Sequence, residues 1–157
     1  MKVTIYSDGS SRGNPGPGGF GTVIHYVDKN GELHVLELSN GYESTTNNRM
    51  ELMGVISGFE ALNRPCEVTV ISDSKYVIDA FNQKWIDSWV KNNWKRKSGP
   101  VLNKDLWTRL LKAMEGHQVD FVWVKGHAGH PENERCDELA TSAADSQNLL
   151  IDEGFLN

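Results

Sequence analysis

Three strand-like segments in succession, then an alternation of helical and strand-like ones, leave this chain few folds to adopt. Residues 2–8 alternate apolar and polar side chains, the period of a strand with one buried face. Residues 20–27 are rich in β-branched and aromatic side chains, Asn30 and Gly31 form a hairpin signal, and 33–38 reads as the returning strand. Between the first two strands, residues 9–19 hold glycine and proline so densely that a loop is expected. From about residue 46 the period lengthens. Leu52, Val55, Ile56, Phe59 and Leu62 keep helical spacing, so 46–62 is predicted as an amphipathic helix. Pro65 closes that unit, and 67–73 is a mostly apolar strand suited to a sheet centre. Segments 75–82 and 85–92 read as helices and 93–100 as a polar turn; 102–115 is another helix and 119–124 the last strand. Pro131 suits the first turn of a helix reaching about residue 145. Residues 146–157 are expected to form a partly flexible tail behind a single domain spanning 1–145. The order predicts an α/β fold, a mixed sheet with helices on both faces.

Charge is distributed unevenly. The net charge of −5 would argue weakly against a polyanionic ligand. Yet residues 84–97 set Lys84, Lys91, Lys95, Arg96 and Lys97 against Asp87 alone, a local balance of +4 that leaves −9 for the remainder. A solvated helix face is the ordinary meaning of such a run. Interleaving with Trp85, Trp89 and Trp94 points instead to one local grip on nucleic acid. No apolar run nears the roughly 20 residues of a membrane span, and the N-terminus lacks the pattern of a secretion signal. Two cysteines, Cys66 and Cys136, are too few for a disulfide framework, so reduced thiols and a cytoplasmic location are expected.

Four acidic residues stand out by position. Asp8 and Asp73 end two apolar strands, while Glu51 and Asp137 lie in helical segments. Turn initiation is the usual role of a strand-end Asp. If the two strands are parallel neighbours, however, both ends lie at the switch point of the sheet, where open α/β folds bind ligands. Glu51 sits among Met50, Leu52 and Met53, and a buried carboxylate needs a partner. Converging carboxylates repel one another; a hard divalent cation such as Mg2+ removes that penalty and keeps waters for chemistry. These four positions predict a metal-dependent phosphoryl-transfer site.

Five segments taken together make a family resemblance specific: Tyr6-Ser7-Asp8-Gly9-Ser10, Gly13-Asn14-Pro15-Gly16-Pro17-Gly18-Gly19, Thr45-Thr46-Asn47-Asn48-Arg49-Met50-Glu51-Leu52, Ser72-Asp73-Ser74, and Val124-Lys125-Gly126-His127-Ala128-Gly129-His130 followed by Asn133-Glu134-Arg135-Cys136-Asp137. In this order they resemble bacterial type-1 ribonuclease H over roughly residues 1–145. The resemblance implies a five-stranded mixed sheet, three antiparallel strands followed by two parallel ones. It implies hydrolysis of the RNA strand of an RNA/DNA hybrid, with two Mg2+ ions (Mn2+ as a substitute) on Asp8, Glu51, Asp73 and Asp137. Products would carry 5′-phosphate and 3′-hydroxyl ends, with little sequence preference and a monomeric enzyme. His127 would assist proton movement or product release. Asn14 would face the RNA minor groove, and Thr46, Asn47 and Asn48 the DNA strand, with one of them also capping the helix. Trp85, Trp89, Lys91, Lys95, Arg96 and Lys97 would form the basic protrusion, and for each tryptophan core packing and substrate contact remain equal readings. Lys75, standing where relatives often carry an amide, would be a further substrate contact.

Competing assignments have weaker support. Zinc on His127, His130 and Cys136 lacks the paired-cysteine spacing of such sites. The loop 9–19 lacks the Lys-Ser/Thr ending of a P-loop. A related nuclease of other substrate specificity, or a hybrid-binding module without catalysis, are the rival functions. A pure binder gains nothing from carboxylates set against phosphates.

Overall fold

The computed structural model describes residues 1–126 and 129–156. In chain order the elements are β1 (Lys2–Ser11), β2 (Gly16–Val27), β3 (Leu33–Thr45), α1 (Asn47–Glu60), β4 (Glu67–Ser72), α2 (Lys75–Asn82), α3 (Trp85–Lys91), the short strands β5 (Lys95–Arg96) and β6 (Gly99–Pro100), α4 (Lys104–Met114), β7 (Gln118–Trp123), α5 (Pro131–Ala144) and α6 (Glu153–Leu156). Five strands form one sheet in the order β3-β2-β1-β4-β7. The first three pair antiparallel, while β4 runs parallel to both β1 and β7. This is the mixed sheet the resemblance implies.

Side-chain alternation in β1 assigns the two faces. Val3, Ile5 and Ser7 are buried and turn toward α1, whereas Tyr6 and Asp8 turn toward the other face, where α5 crosses β1, β2 and β3. α1 is more deeply enclosed than its amphipathic pattern predicts. Every residue from Arg49 to Ile56 is buried, because α4 covers the side turned away from the sheet. Leu52, Val55, Ile56 and Phe59 are almost wholly removed from solvent, and each such side chain contributes about 1.5–3 kcal/mol relative to exposure. Trp107 of α4 is fully buried against the rings of Tyr76, Phe81 and Trp89.

The glycine-rich stretch corrects one expectation. Residues 9–19 are mostly strand, with Ser11 paired to Gly18 and Ser10 to Gly19; only 12–15 form the connecting loop. The cause is packing. α5 lies directly on the backbone of β2, and a Cβ at Gly19 would clash with the carbonyl of Ala140 and the side chain of Ala143. Glycine here makes room for a helix, not for a turn. β3 also runs past residue 38 to Thr45, because β2 offers it ladder partners as far as Gly16. No described helix is long and apolar enough to cross a membrane, and Cys66 and Cys136 are free and buried.

Candidate active site

Parallel register brings the two strand-end aspartates together. Tyr6 of β1 lies opposite Ile71 of β4, so Asp8 and Asp73 sit at the same level two residues further on, at the carboxyl edge of the sheet. α1 passes over β1 at Gly9, where a Cβ would collide with the backbone of Glu51. That close approach lets the Gly9 N–H donate to Glu51 Oε1 at 2.8 Å, and also to Asp8 Oδ1 at 3.0 Å. One carboxylate oxygen from each of Asp8, Glu51 and Asp73 lies within 4.8 Å of the others. Asp137, on α5, lies outside that tightest group but borders both hollows that Asp8 and Asp73 line.

Electrostatics mark the cluster as incomplete. Glu51 is 5% exposed, and its Oε2 is buried with no hydrogen-bond partner among the described residues. Burial first, then repulsion from Asp8 and Asp73, pushes its carboxyl well above the usual range. Asp8 is raised to about 7, again by burial first, then by the charge of Asp73, with Asp137 adding to it. No ion pair among the described residues brings a cation to Asp8 or Glu51. A buried carboxylate with one orphaned oxygen, set beside two further carboxylates, fits an oxygen-liganded divalent cation.

A tryptophan that sequence reasoning missed braces this edge. Trp123 ends β7 opposite Ser72, and its indole N–H donates to the Asp73 carbonyl at 3.0 Å. Lys75 Nζ lies 4.8 Å from the centre of the same ring. The available signal was an aromatic at the C-terminal end of the strand beside β4. Gly126 completes the wall, since a Cβ there would fall 2.6 Å from Asp73 Oδ2. His127 lies outside the described residues. Its neighbours Lys125 and His130 line a hollow of about 290 Å³ together with Asp8, Asp73, Asn133, Glu134 and Asp137.

The other predicted contacts divide in two. Asn14 Oδ1 accepts the Asn47 N–H at 2.8 Å, and Thr46 caps α1 by accepting the Arg49 N–H. Asn14, Thr46, Asn47 and Asn48 thus share one groove of about 690 Å³. Lys91, Lys95, Arg96 and Lys97 are exposed on the helix–hairpin protrusion, none of them in an ion pair among the described residues. The tryptophans separate. Trp89 packs edge-on against Trp107 at 5.3 Å between ring centres, whereas Trp85 stays 44% exposed, its ring tilted against Trp89 with centres 6.5 Å apart.

Comparison with known proteins places this geometry. The sequence profile of the RNase H family matches residues 1–145. Ribonuclease H of Lachnoclostridium phytofermentans is 62% identical over 154 residues, covering 97% of this chain and 98% of that protein. Ribonuclease H of Desulforamulus reducens is 53% identical over 96% of this chain and 92% of its own. Among solved structures, LC9-RNase H1, a type 1 RNase H with the type 2 active-site motif, superposes with a TM-score of 0.85 at 36% identity, over 94% of this chain and 74% of that one. LC11-RNase H1 in complex with RNA/DNA hybrid superposes with a TM-score of 0.65 at 29% identity, over 91% and 96% of the two chains. Sheet order, carboxylate placement and sequence therefore agree, and the chain belongs to the ribonuclease H family of enzymes.

Proposed function

We propose that this protein is an endonuclease that hydrolyses the RNA strand of RNA/DNA hybrids, with little sequence preference, leaving 5′-phosphate and 3′-hydroxyl ends. The observation that carries the reading is the convergence of Asp8, Glu51 and Asp73, with one buried oxygen of Glu51 without a hydrogen-bond partner among the described residues. These three, with Asp137, would hold divalent cations, Mg2+ with Mn2+ as a substitute. Two such ions, when bound, neutralise the cluster, lower the pKa of the attacking water and stabilise the leaving 3′ oxygen. The chain's own residues do the rest. The Gly9 N–H orients Glu51, Trp123 fixes the backbone at Asp73, and Lys75, its ammonium over the Trp123 ring, lines the hollow of Asp8, Glu51 and Asp73.

The groove at the start of α1 takes the backbone through Asn14, Asn47 and Asn48, polar groups suited to the minor-groove 2′-hydroxyl and to phosphate at a helix N-terminus. The protrusion grips the DNA strand through Trp85, Lys91, Lys95, Arg96 and Lys97, an attraction independent of base identity. His127 assists proton movement. The enzyme acts as a monomer in the cytoplasm.

The test is incubation with end-labelled hybrid, duplex DNA and duplex RNA, with Mg2+ or with EDTA, followed by end-group analysis. Cutting of the hybrid's RNA strand alone, with Mg2+ present, is expected. Asp73→Asn should fold and fail to cut. Hybrid binding without cutting under every metal condition would leave a binding module, and cleavage of duplex DNA would make the chain a different nuclease.

A further inference from the structure

The family profile ends at residue 145, yet the chain beyond it is bound to the start of α1. The Leu150 N–H donates to the Gly41 carbonyl and the Leu150 carbonyl accepts the Glu43 N–H, both at 2.8 Å, so the segment runs alongside β3. It then delivers Asp152, 7% exposed, to Arg49, 2% exposed. Arg49 Nε and Nη2 donate to the two Asp152 oxygens at 2.7 and 2.9 Å, and Thr45 Oγ1 donates to Oδ2 at 2.7 Å. The other guanidinium donors go to Asp105 at the start of α4, at 2.7 and 2.8 Å. Gly154 and Phe155 then form part of the wall of the groove that holds Asn14, Thr46, Asn47 and Asn48.

The first turn of α1 needs this anchorage. Its own cap, Thr46 Oγ1 to the Arg49 N–H, is 3.3 Å long and correspondingly weak, and the shorter bond to its first turn, from the Asn47 N–H at 2.8 Å, goes out to Asn14 of the β1–β2 loop. Helix ends fray when their first N–H groups are poorly held. Thr45 and Arg49 bracket the three residues Thr46, Asn47 and Asn48, and both are tied to one carboxylate, that of Asp152.

We propose that the C-terminal segment is a clasp in which Asp152, through Arg49 and Thr45, positions the first turn of α1 for substrate. This rests on the reading of that groove as a hybrid contact. Asp152 touches no substrate; it is a positioning residue. Its effect should therefore fall on substrate affinity and spare the chemical step, because Asp8 and Asp73 are carried by β1 and β4, and Glu51, although on α1, is tied to β1 by the Gly9 N–H.

Asp152→Asn and a chain ending at residue 145 provide the test, assayed with Mg2+ on a labelled RNA/DNA hybrid well below the midpoint of thermal unfolding. KM is expected to rise about tenfold, as for a misplaced contact, with kcat near the wild-type value. Amide exchange at Asn47, Asn48 and Arg49 should accelerate while that of β1 and β4 does not. Asp152→Glu should recover part of the loss. A wild-type KM and unchanged exchange in folded Asp152→Asn, even with a lowered melting temperature, would reduce the segment to a purely stabilising role and overturn the clasp. Should the shortened chain not fold, Asp152→Asn decides alone, since Asp105 still pairs with Arg49. If the wild-type protein does not cut the hybrid, the functional reading fails while amide exchange still reports on the clasp.

Discussion

Replacing Asp8 by Asn should make the metal-free protein more stable at pH 8, although it removes a residue the site is built around. Burial, then the charge of Asp73, raises the Asp8 carboxyl from 3.8 to about 7. The folded state therefore binds a proton that the unfolded chain has released. Its contribution to stability is fully present below pH 3.8 and is lost as pH rises through about 7. At 1.36 kcal/mol per pH unit, that displacement amounts to at most about 4 kcal/mol. Asn has no charge to strand in the cluster and keeps an oxygen for the Gly9 N–H. In EDTA, the variant should exceed the wild type at pH 8 by up to about 4 kcal/mol and converge with it near pH 4. Saturating Mg2+ should restore the wild type preferentially, since ligand bound only to the folded state adds stability by mass action. Urea denaturation followed by circular dichroism between pH 4 and 9, with EDTA or Mg2+, measures both effects. Parallel pH curves for the two proteins in EDTA, or a variant less stable at pH 8, would refute the assignment of the electrostatic cost to Asp8.

Other perturbations separate the parts of the site. Gly126→Ala sets a methyl group 2.6 Å from Asp73 Oδ2, so kcat on hybrid should drop by about 100-fold with little change in melting temperature. Replacing Lys91, Lys95, Arg96 and Lys97 by Gln should flatten the dependence of log K on log salt in a binding titration without divalent metal, by about 0.7–0.9 for each phosphate no longer neutralised. Trp107→Ala empties the space between Tyr76, Phe81 and Trp89 and should cost about 3–5 kcal/mol in urea denaturation.

Much of the architecture was legible because hydrophobic periodicity reports local geometry directly. The change to helical period near residue 46 located the start of α1 to within a residue of Asn47, although the third strand, expected to end at residue 38, continues to Thr45. Pro131 stands at the start of α5 as its fixed backbone angle suggested. Gly9 and Gly19, read as part of a loop, misled, because in one dimension a glycine that frees a turn looks identical to a glycine that admits a helix. Only the positions of α1 over Gly9 and of α5 over Gly19 tell them apart. The cluster was legible in part. Asp8 and Asp73 were located by their strand ends, but the spacing of carboxylates along a chain says nothing of which oxygens meet, and Asp137 lies outside the tightest group. Trp89 and Trp85, alike in sequence context, differ because Trp107 presents a ring to one and not to the other.

By itself, then, the amino-acid sequence determined the order of the five sheet strands and of the helices α1 to α5, the strand ends that carry acid, and the family to which those motifs belong, all of them consequences of local periodicity and residue type, while β5, β6 and α6 were read as turn and tail. Tertiary structure alone decided that a glycine contact sets Glu51 beside Asp8, that Trp123 braces Asp73, and that Asp152 finds Arg49 across 103 residues of chain. These are long-range encounters, and their free energy depends on burial and on partners that no local pattern encodes.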